Sequence, residues 1–144
     1  MKAMTNKEFA EAVMGMADVQ QPFQPHATYI REGDCIEFVI APDDYVAHRI
    51  DGLVTVYYSR ETGNVVGSLI KGVGEFCRKM LSQFPGFRIL IEGCAVKLEH
   101  IFLAQLWTQP PSSPDVALTR TYRELIQAAE DQDIAVEIDK LCLK

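Results

Sequence analysis

The sequence predicts an α+β domain in which an antiparallel, four- to five-stranded β-meander packs against helices. Between residues 35 and 71, short segments with alternating apolar residues are separated by turn residues, as in strands joined by hairpins. From residue 73 to residue 84, apolar residues instead recur every three or four positions, which indicates an amphipathic helix. The length of 144 residues is typical of one domain, so we expect both parts in a single unit.

Turn residues divide the central region into strands. Pro42-Asp43-Asp44 ends the first strand, because these residue types favour turns over sheet pairing. Asp51-Gly52 is the usual signal for a two-residue type I′ hairpin. The polar stretch 59–64 predicts a type I turn closed by a glycine, and three consecutive hairpins would complete the meander. The predicted strands cover residues 36–40, 45–50, 53–58 and 65–70.

The predicted turns fix which side chains share a face of the sheet. A two-residue turn at Asp51-Gly52 places His48 opposite Thr55, on the same face as Tyr57. The following turn places Tyr57 opposite Gly67, where an aromatic ring covers a strand glycine. This face is too apolar to be fully solvated, yet it carries a histidine, a threonine and a tyrosine. His48, Thr55 and Tyr57 are therefore the candidate ligand-binding residues.

Helices are predicted on both sides of the meander along the chain. Apolar residues from Val73 to Phe84 form one stripe, and Pro85-Gly86 ends that helix. Near the start, Thr5-Asn6-Lys7-Glu8 matches a capping box and predicts a helix over residues 5–17. We expect residues 1–25 to form an N-terminal helical arm and residues 26–144 to form the α+β domain.

The remaining third of the chain has a clear linker. Prolines and serines dominate residues 109–114, and Ser113 followed by Pro114 predicts the first residues of another helix. The buried side of this helix is predicted to contain Leu118, Tyr122, Leu125, Ile126 and Ala129.

Three other segments carry weaker patterns. Residues 87–92 are predicted to form a strand. Residues 95–107 fit either helix or strand, with helix favoured by their composition. Residues 134–143 likewise fit both, since the alternation over 134–138 indicates a strand while the wider apolar spacing indicates a helix.

The charge balance and the apolar pattern exclude several partners. Twenty acidic residues stand against fourteen basic ones, and no basic cluster is interleaved with aromatic residues, so we expect no nucleic-acid binding. No run of about 18 apolar residues is present, so we expect no membrane insertion. The first 16 residues lack the apolar core and cleavage site of a signal peptide, which predicts a cytoplasmic location.

The four cysteines show no metal-binding or redox spacing. Cys35, Cys77, Cys94 and Cys142 form no Cys-x-x-Cys pair, and a reducing compartment would keep them as free thiols. The histidines also lack the spacings typical of zinc sites. We therefore expect neither a metal ion nor another cofactor.

Two further motifs contain residue types that occur in binding sites. Asp43, Asp44 and Asp51 are explained by turn formation, and no calcium-loop pattern surrounds them. Gly72-Val73-Gly74 lies at a strand-to-helix junction where exposed amides bind anions in other proteins, but the Walker spacing is absent. No residue neighbouring the cysteines supplies an activating base, so the sequence identifies no catalytic residue.

Residues 34–73 resemble a small bacterial β-meander domain family of unknown function. The resemblance rests on the strand 36–40, the strand 53–58 and the segment 64–70, Asn-Val-Val-Gly-Ser-Leu-Ile. It implies the meander fold and no particular activity. It covers less than a third of the chain.

These observations lead to two hypotheses of function. The first is a non-enzymatic accessory or protein-interaction module that self-associates as a homo-oligomer. It is supported by the partly apolar sheet face that carries His48, Thr55 and Tyr57, and by two aromatics expected to be exposed, Phe23 and Trp107. The alternative is a small-molecule binding or hydrolytic protein with a pocket around His48. Whether the protein is an enzyme stays open at this point.

Overall fold

The computed structural model describes residues 23–108 and 116–142. The predicted helix at 5–17, most of the predicted arm, and the linker 109–114 lie outside these residues. The elements are β1 (His26–Ile30), β2 (Cys35–Val39), β3 (Tyr45–Arg49), β4 (Val54–Ser59), β5 (Val65–Lys71), α1 (Val73–Gln83), β6 (Ile91–Glu92), β7 (Ala95–Lys97), α2 (Leu98–Trp107), α3 (Val116–Asp131) and β8 (Ala135–Glu137).

The larger sheet has five antiparallel strands in the order β1-β2-β5-β4-β3. The α+β class and the antiparallel, meander-like sheet are confirmed. The prediction of three consecutive hairpins is wrong in one place, because β2 pairs with β5 instead of β3. The connection 40–44 therefore passes the ends of β5 and β4 and leaves β3 at the edge, as in a Greek key.

The turn between β3 and β4 differs from the predicted one and shifts the register by one residue. The Ile50 amide donates to the Val54 carbonyl (3.0 Å), so the turn contains three residues instead of two. Both Leu53 and Val54 donate their amides to Asp51 Oδ1 (2.8 Å each). Because the side-chain carboxylate satisfies two backbone donors, the longer turn is the stable one here.

The β4–β5 pairing agrees with the sequence. Tyr57 lies opposite Gly67, as predicted, and an irregularity in the register follows at Tyr57/Tyr58. A Cβ atom at Gly67 would lie 2.6 Å from the Phe38 carbonyl oxygen and 2.9 Å from Tyr57 Cδ2. The glycine is thus required by the close approach of β2 and of the tyrosine ring.

Helices cover one face of this sheet, which we call the core face. Phe38 and Phe102 are in ring contact across that layer (6.3 Å between centroids), and Tyr122 packs edge-on against Phe102 (6.2 Å). Helices α1 and α3 bury most of the stripes that the sequence predicted, whereas Phe84, at the end of the α1 stripe, is 57 % exposed. The fully buried residues of the core face are Ile36, Phe38, Val54, Val56, Ser68 and Ile70; the helices contribute Val73, Cys77, Leu98, Ile101, Phe102, Tyr122, Leu125 and Ala129.

The weaker sequence patterns resolve into a small second sheet. Residues 85–90 form a 3₁₀ helix, so the strand predicted over 87–92 is wrong except for β6 at its end. The segment 95–107 begins as β7 and continues as α2, mostly helical as favoured. The tail contains β8, and β6, β7 and β8 pair in that order.

The expectation of four free cysteines is wrong for one pair. Cys94 and Cys142 form a disulfide, whereas Cys35 and Cys77 are free. The two bonded residues are 48 positions apart, and no short spacing marked them in the sequence. They meet because the Ile138 amide donates to the Cys94 carbonyl (2.9 Å), which holds the chain after β8 beside the β6–β7 turn.

Asp34 joins β1 and the start of α1. Its Oδ1 accepts hydrogen bonds from the Tyr29 hydroxyl (2.7 Å) and from the Gly74 amide (2.9 Å). Its backbone carbonyl accepts one from the Val73 amide (3.0 Å). The carboxylate therefore caps α1, a helix whose own N-cap residue, Gly72, has no side chain to do so.

This contact predicts a specific alkaline sensitivity. Burial and the hydrogen bond to Asp34 raise the pKa of Tyr29 from 10.0 to about 12. The unfolded chain therefore loses this proton first, and stability falls as pH rises from 10.0 to about 12. We expect the stability difference between wild type and Tyr29→Phe to shrink across this window. Urea unfolding of both proteins at successive pH values measures it; a constant difference would contradict the assignment.

Candidate functional site

The edge strand β3 is the most exposed part of the larger sheet. All five of its residues are exposed, and Tyr45 and Val46 keep 43 % and 49 % of their surface in contact with solvent. The Ile50 amide donates to β4, and the Asp44 carbonyl accepts from Arg60. Because antiparallel hydrogen bonds alternate, the amide and carbonyl groups of Tyr45, Ala47 and Arg49 point away from β4.

A hollow lies beside β3 on the face opposite the core, which we call the outer face. The connection 40–44 borders it, held by hydrogen bonds from the Ile40 and Ala41 amides to the Val66 carbonyl (2.9 and 3.2 Å). Its volume is about 170 Å³, enough for a small group. This outer hollow is lined by Glu37, Val39, Ala41, Pro42, Asp43, Tyr45, Tyr57 and Val66.

Two tyrosines form the wall of the outer hollow. The rings of Tyr45 and Tyr57 are stacked, with centroids 4.1 Å apart and an interplanar angle of 22°. Tyr57 is only 7 % exposed. Burial raises its pKa, and the neighbouring Glu37 and Tyr45 raise it further, so the hydroxyl stays protonated. Glu37 and Asp43 line the hollow, and the part of the chain that the structure describes contributes no basic side chain to it, so it favours a cationic or hydrogen-bonding group.

The residues predicted to bind a ligand do not share a face. Thr55 and Tyr57 lie on the outer face, and Tyr57 lines the hollow. His48 pairs with Val56 and so lies on the core face, where its ring approaches Tyr58 (6.5 Å between centroids). The register shift of one residue separates them, because successive strand residues point to opposite faces.

Two other places in the structure hold polar groups that could contact a ligand. The Gly74 and Glu75 amides, which could have held an anion, donate to the Asp34 carboxylate (2.9 and 3.4 Å). Glu99 Oε2 and His100 Nδ1 are buried without hydrogen-bond partners among the described residues. Within residues 23–108 and 116–142, no group of three histidine, cysteine or acidic residues converges as a metal site.

Several features of this site escaped the sequence. The register predicted from the sequence puts Tyr45 on the face opposite His48, Thr55 and Tyr57, and no sequence pattern connects Glu37 with them. Only knowledge that β3 is an edge strand next to the 40–44 connection would have brought these residues together. The two aromatics selected as exposed are indeed so, with Trp107 84 % and Phe23 42 % exposed.

None of the helices described is long and apolar enough to cross a membrane. No known protein-family model matches the chain, and comparisons with curated proteins and with solved structures also find no match. The resemblance of residues 34–73 to a β-meander family stays a prediction.

Proposed function

We propose that the protein is a non-enzymatic interaction module that self-associates through the β3 edge of its larger sheet. The observation that carries this proposal is that β3 is exposed on both faces, while three of its residues direct outward backbone groups that have no partner within residues 23–108 and 116–142. Such an edge is a template for another strand. A homo-oligomer is the simplest assembly in which this edge pairs with another strand. A different protein partner would bind the same edge.

The strand has few of the devices by which proteins protect sheet edges. It contains no proline and no lysine, and its pairing with β4 is regular. Apart from His48, its one basic or acidic residue is Arg49, at its end. The other edge strand, β1, is different because it lies beside β8. A cavity of about 420 Å³ lies between them, and the Arg31–Asp139 ion pair bridges the two segments. These contrasts support β3 as the association edge.

Small-molecule binding is the second candidate, and the outer hollow is the observation that favours it. The hollow is smaller than the roughly 300–1,000 Å³ of typical ligand sites, so it suits a small polar molecule or one side chain of a partner. Among the described residues, no serine, cysteine or histidine lines it, which gives no support to a hydrolytic reaction there.

A cytoplasmic location remains part of the proposal and has a consequence for the disulfide. Cytoplasmic thiols are kept reduced, so the Cys94–Cys142 bond would be open in most molecules there. Acid quenching of intact cells, followed by alkylation of the denatured protein, would reveal this without shielding the buried Cys77. Four modified cysteines support the proposal, and two support an oxidising compartment.

Native mass spectrometry of gently purified protein tests the two functions together. A mass that is a clean multiple of 16.2 kDa and returns to the monomer on dilution supports self-association. A monomer at every concentration contradicts it. Extra mass that disappears on denaturation supports the small-molecule candidate.

A further inference from the structure

We propose that two copies of the chain pair antiparallel through β3, with Ala47 of each copy opposite Ala47 of the other. The inference rests on the proposed self-association and names the surface and register that produce it. The product would be a ten-stranded sheet continuous across a two-fold axis. The occupant of the edge is thus a second copy of this chain.

The outward backbone groups define this register. Tyr45, Ala47 and Arg49 alternate with residues bonded to β4, so only these three can bond to a further strand. Centring the pair on Ala47 places Tyr45 opposite Arg49 of the second copy, and Arg49 opposite Tyr45 of the second copy. All three outward residues of both copies are then used, with two hydrogen bonds in each of the three pairs.

Side chains on the outer face are complementary in the same register. Tyr45 opposite Arg49 of the second copy gives a ring–guanidinium contact, which is attractive by the cation–π interaction. The Arg49 guanidinium is held beside the strand end by hydrogen bonds to the Asp51 and Gly52 carbonyls (3.0 and 3.2 Å). Asp43, two residues before Tyr45, lies diagonal to Arg49 of the second copy. It also faces Asp51 of that copy, whose carboxylate accepts hydrogen bonds from two amides of its own turn.

Neighbouring registers are poorer. If the two-fold axis passes through Tyr45 or Arg49, only one hydrogen-bonded pair of residues remains within the strand. With the axis at Arg49, the two arginines also face each other. Moving it to Val46 or His48 retains two pairs and loses the Tyr45–Arg49 contact. Among these five centres, Ala47 is therefore the one that gives the most hydrogen bonds within the strand and sets Tyr45 opposite Arg49.

The interface is expected to be weak. Two five-residue strands bury much less than the roughly 1,200–2,000 Å² of a stable specific interface, so the dimer should form and dissociate with concentration. Backbone hydrogen bonds are its main stabilising interaction, so a proline in β3, which removes an amide donor, should weaken the dimer.

Cross-linking at the two-fold axis tests the register. In a Cys35→Ser background, Ala47→Cys should give a covalent dimer under mild oxidation, since opposed residues lie about 5.5 Å apart, within disulfide range. Thr28→Cys, an exposed position in the middle of the opposite edge strand, is the matched control and should stay monomeric.

Ala47→Pro supplies a second measurement that does not depend on oxidation. The Ala47 amide makes no bond to β4, so proline should leave the monomer folded and abolish the native dimer mass, whereas Ala47→Val should keep it. If wild type dimerises but Ala47→Cys does not cross-link and Ala47→Pro still dimerises, the register is wrong and the proposed function stands. If wild type is monomeric throughout, both fail.

Discussion

Removal of the Cys94–Cys142 disulfide is expected to lower the free energy of unfolding by about 4 kcal/mol. The bond closes a loop between residues 48 positions apart, and the chain-entropy model assigns a loop of that size about 4 kcal/mol through restriction of the unfolded chain. The bond also holds the chain after β8, whose Ile138 and Leu141 are fully buried in the core. Its loss therefore acts on the unfolded state and on the anchoring of the C-terminal segment.

Urea unfolding with and without a thiol reductant measures this effect. Reductant should bring wild type to the stability of the Cys94→Ser/Cys142→Ser double variant and should not change the double variant itself. Cys35→Ser is the matched control, because Cys35 is free, and it should respond to reductant as wild type does. Equal wild-type stability in both conditions would contradict the contribution assigned to the bond.

Substitution of Gly67 by alanine is expected to cost about 2–3 kcal/mol. The added methyl group would meet a backbone oxygen of β2 at 2.6 Å and the Tyr57 ring at 2.9 Å. The ring borders the outer hollow and can move toward it, but the Phe38 carbonyl belongs to β2, which is paired on both sides. Relief therefore requires a shift between β2 and β5, which is the cost of overpacking.

Gly52→Ala is the matched control for that substitution. A Cβ atom at Gly52 meets nothing within 4 Å, so its effect should stay within about 0.5 kcal/mol. Chemical unfolding of both variants gives the comparison. A Gly67→Ala protein as stable as Gly52→Ala would mean that the contact between β2 and β5 is looser than the structure places it.

The sequence predicted the parts of the fold that depend on local periodicity. Helices α1 and α3 were identified from apolar residues spaced along one side, and Tyr57 opposite Gly67 followed from the turn before β5. The pairing of β2 with β5 is a long-range choice that no local pattern encodes. The disulfide also depends on long-range structure, since the smaller sheet brings Cys94 and Cys142 together.

The β3–β4 register shows most clearly why the candidate site was only partly predicted. Asp51-Gly52 fits a two-residue turn, but the Asp51 carboxylate also accepts two backbone hydrogen bonds and the Tyr122 hydroxyl from α3. That tertiary contact favours the longer turn. The resulting shift of one residue moved His48 to the core face and Tyr45 to the outer face.

Amide hydrogen exchange in β3 at several protein concentrations tests the central claim most directly. The amides of Val46 and His48 are bonded to β4 and should exchange slowly at every concentration. Those of Tyr45, Ala47 and Arg49 point outward, so they should exchange rapidly in dilute protein and become protected as the dimer forms. Rapid exchange of these three amides at all concentrations would contradict self-association through this edge.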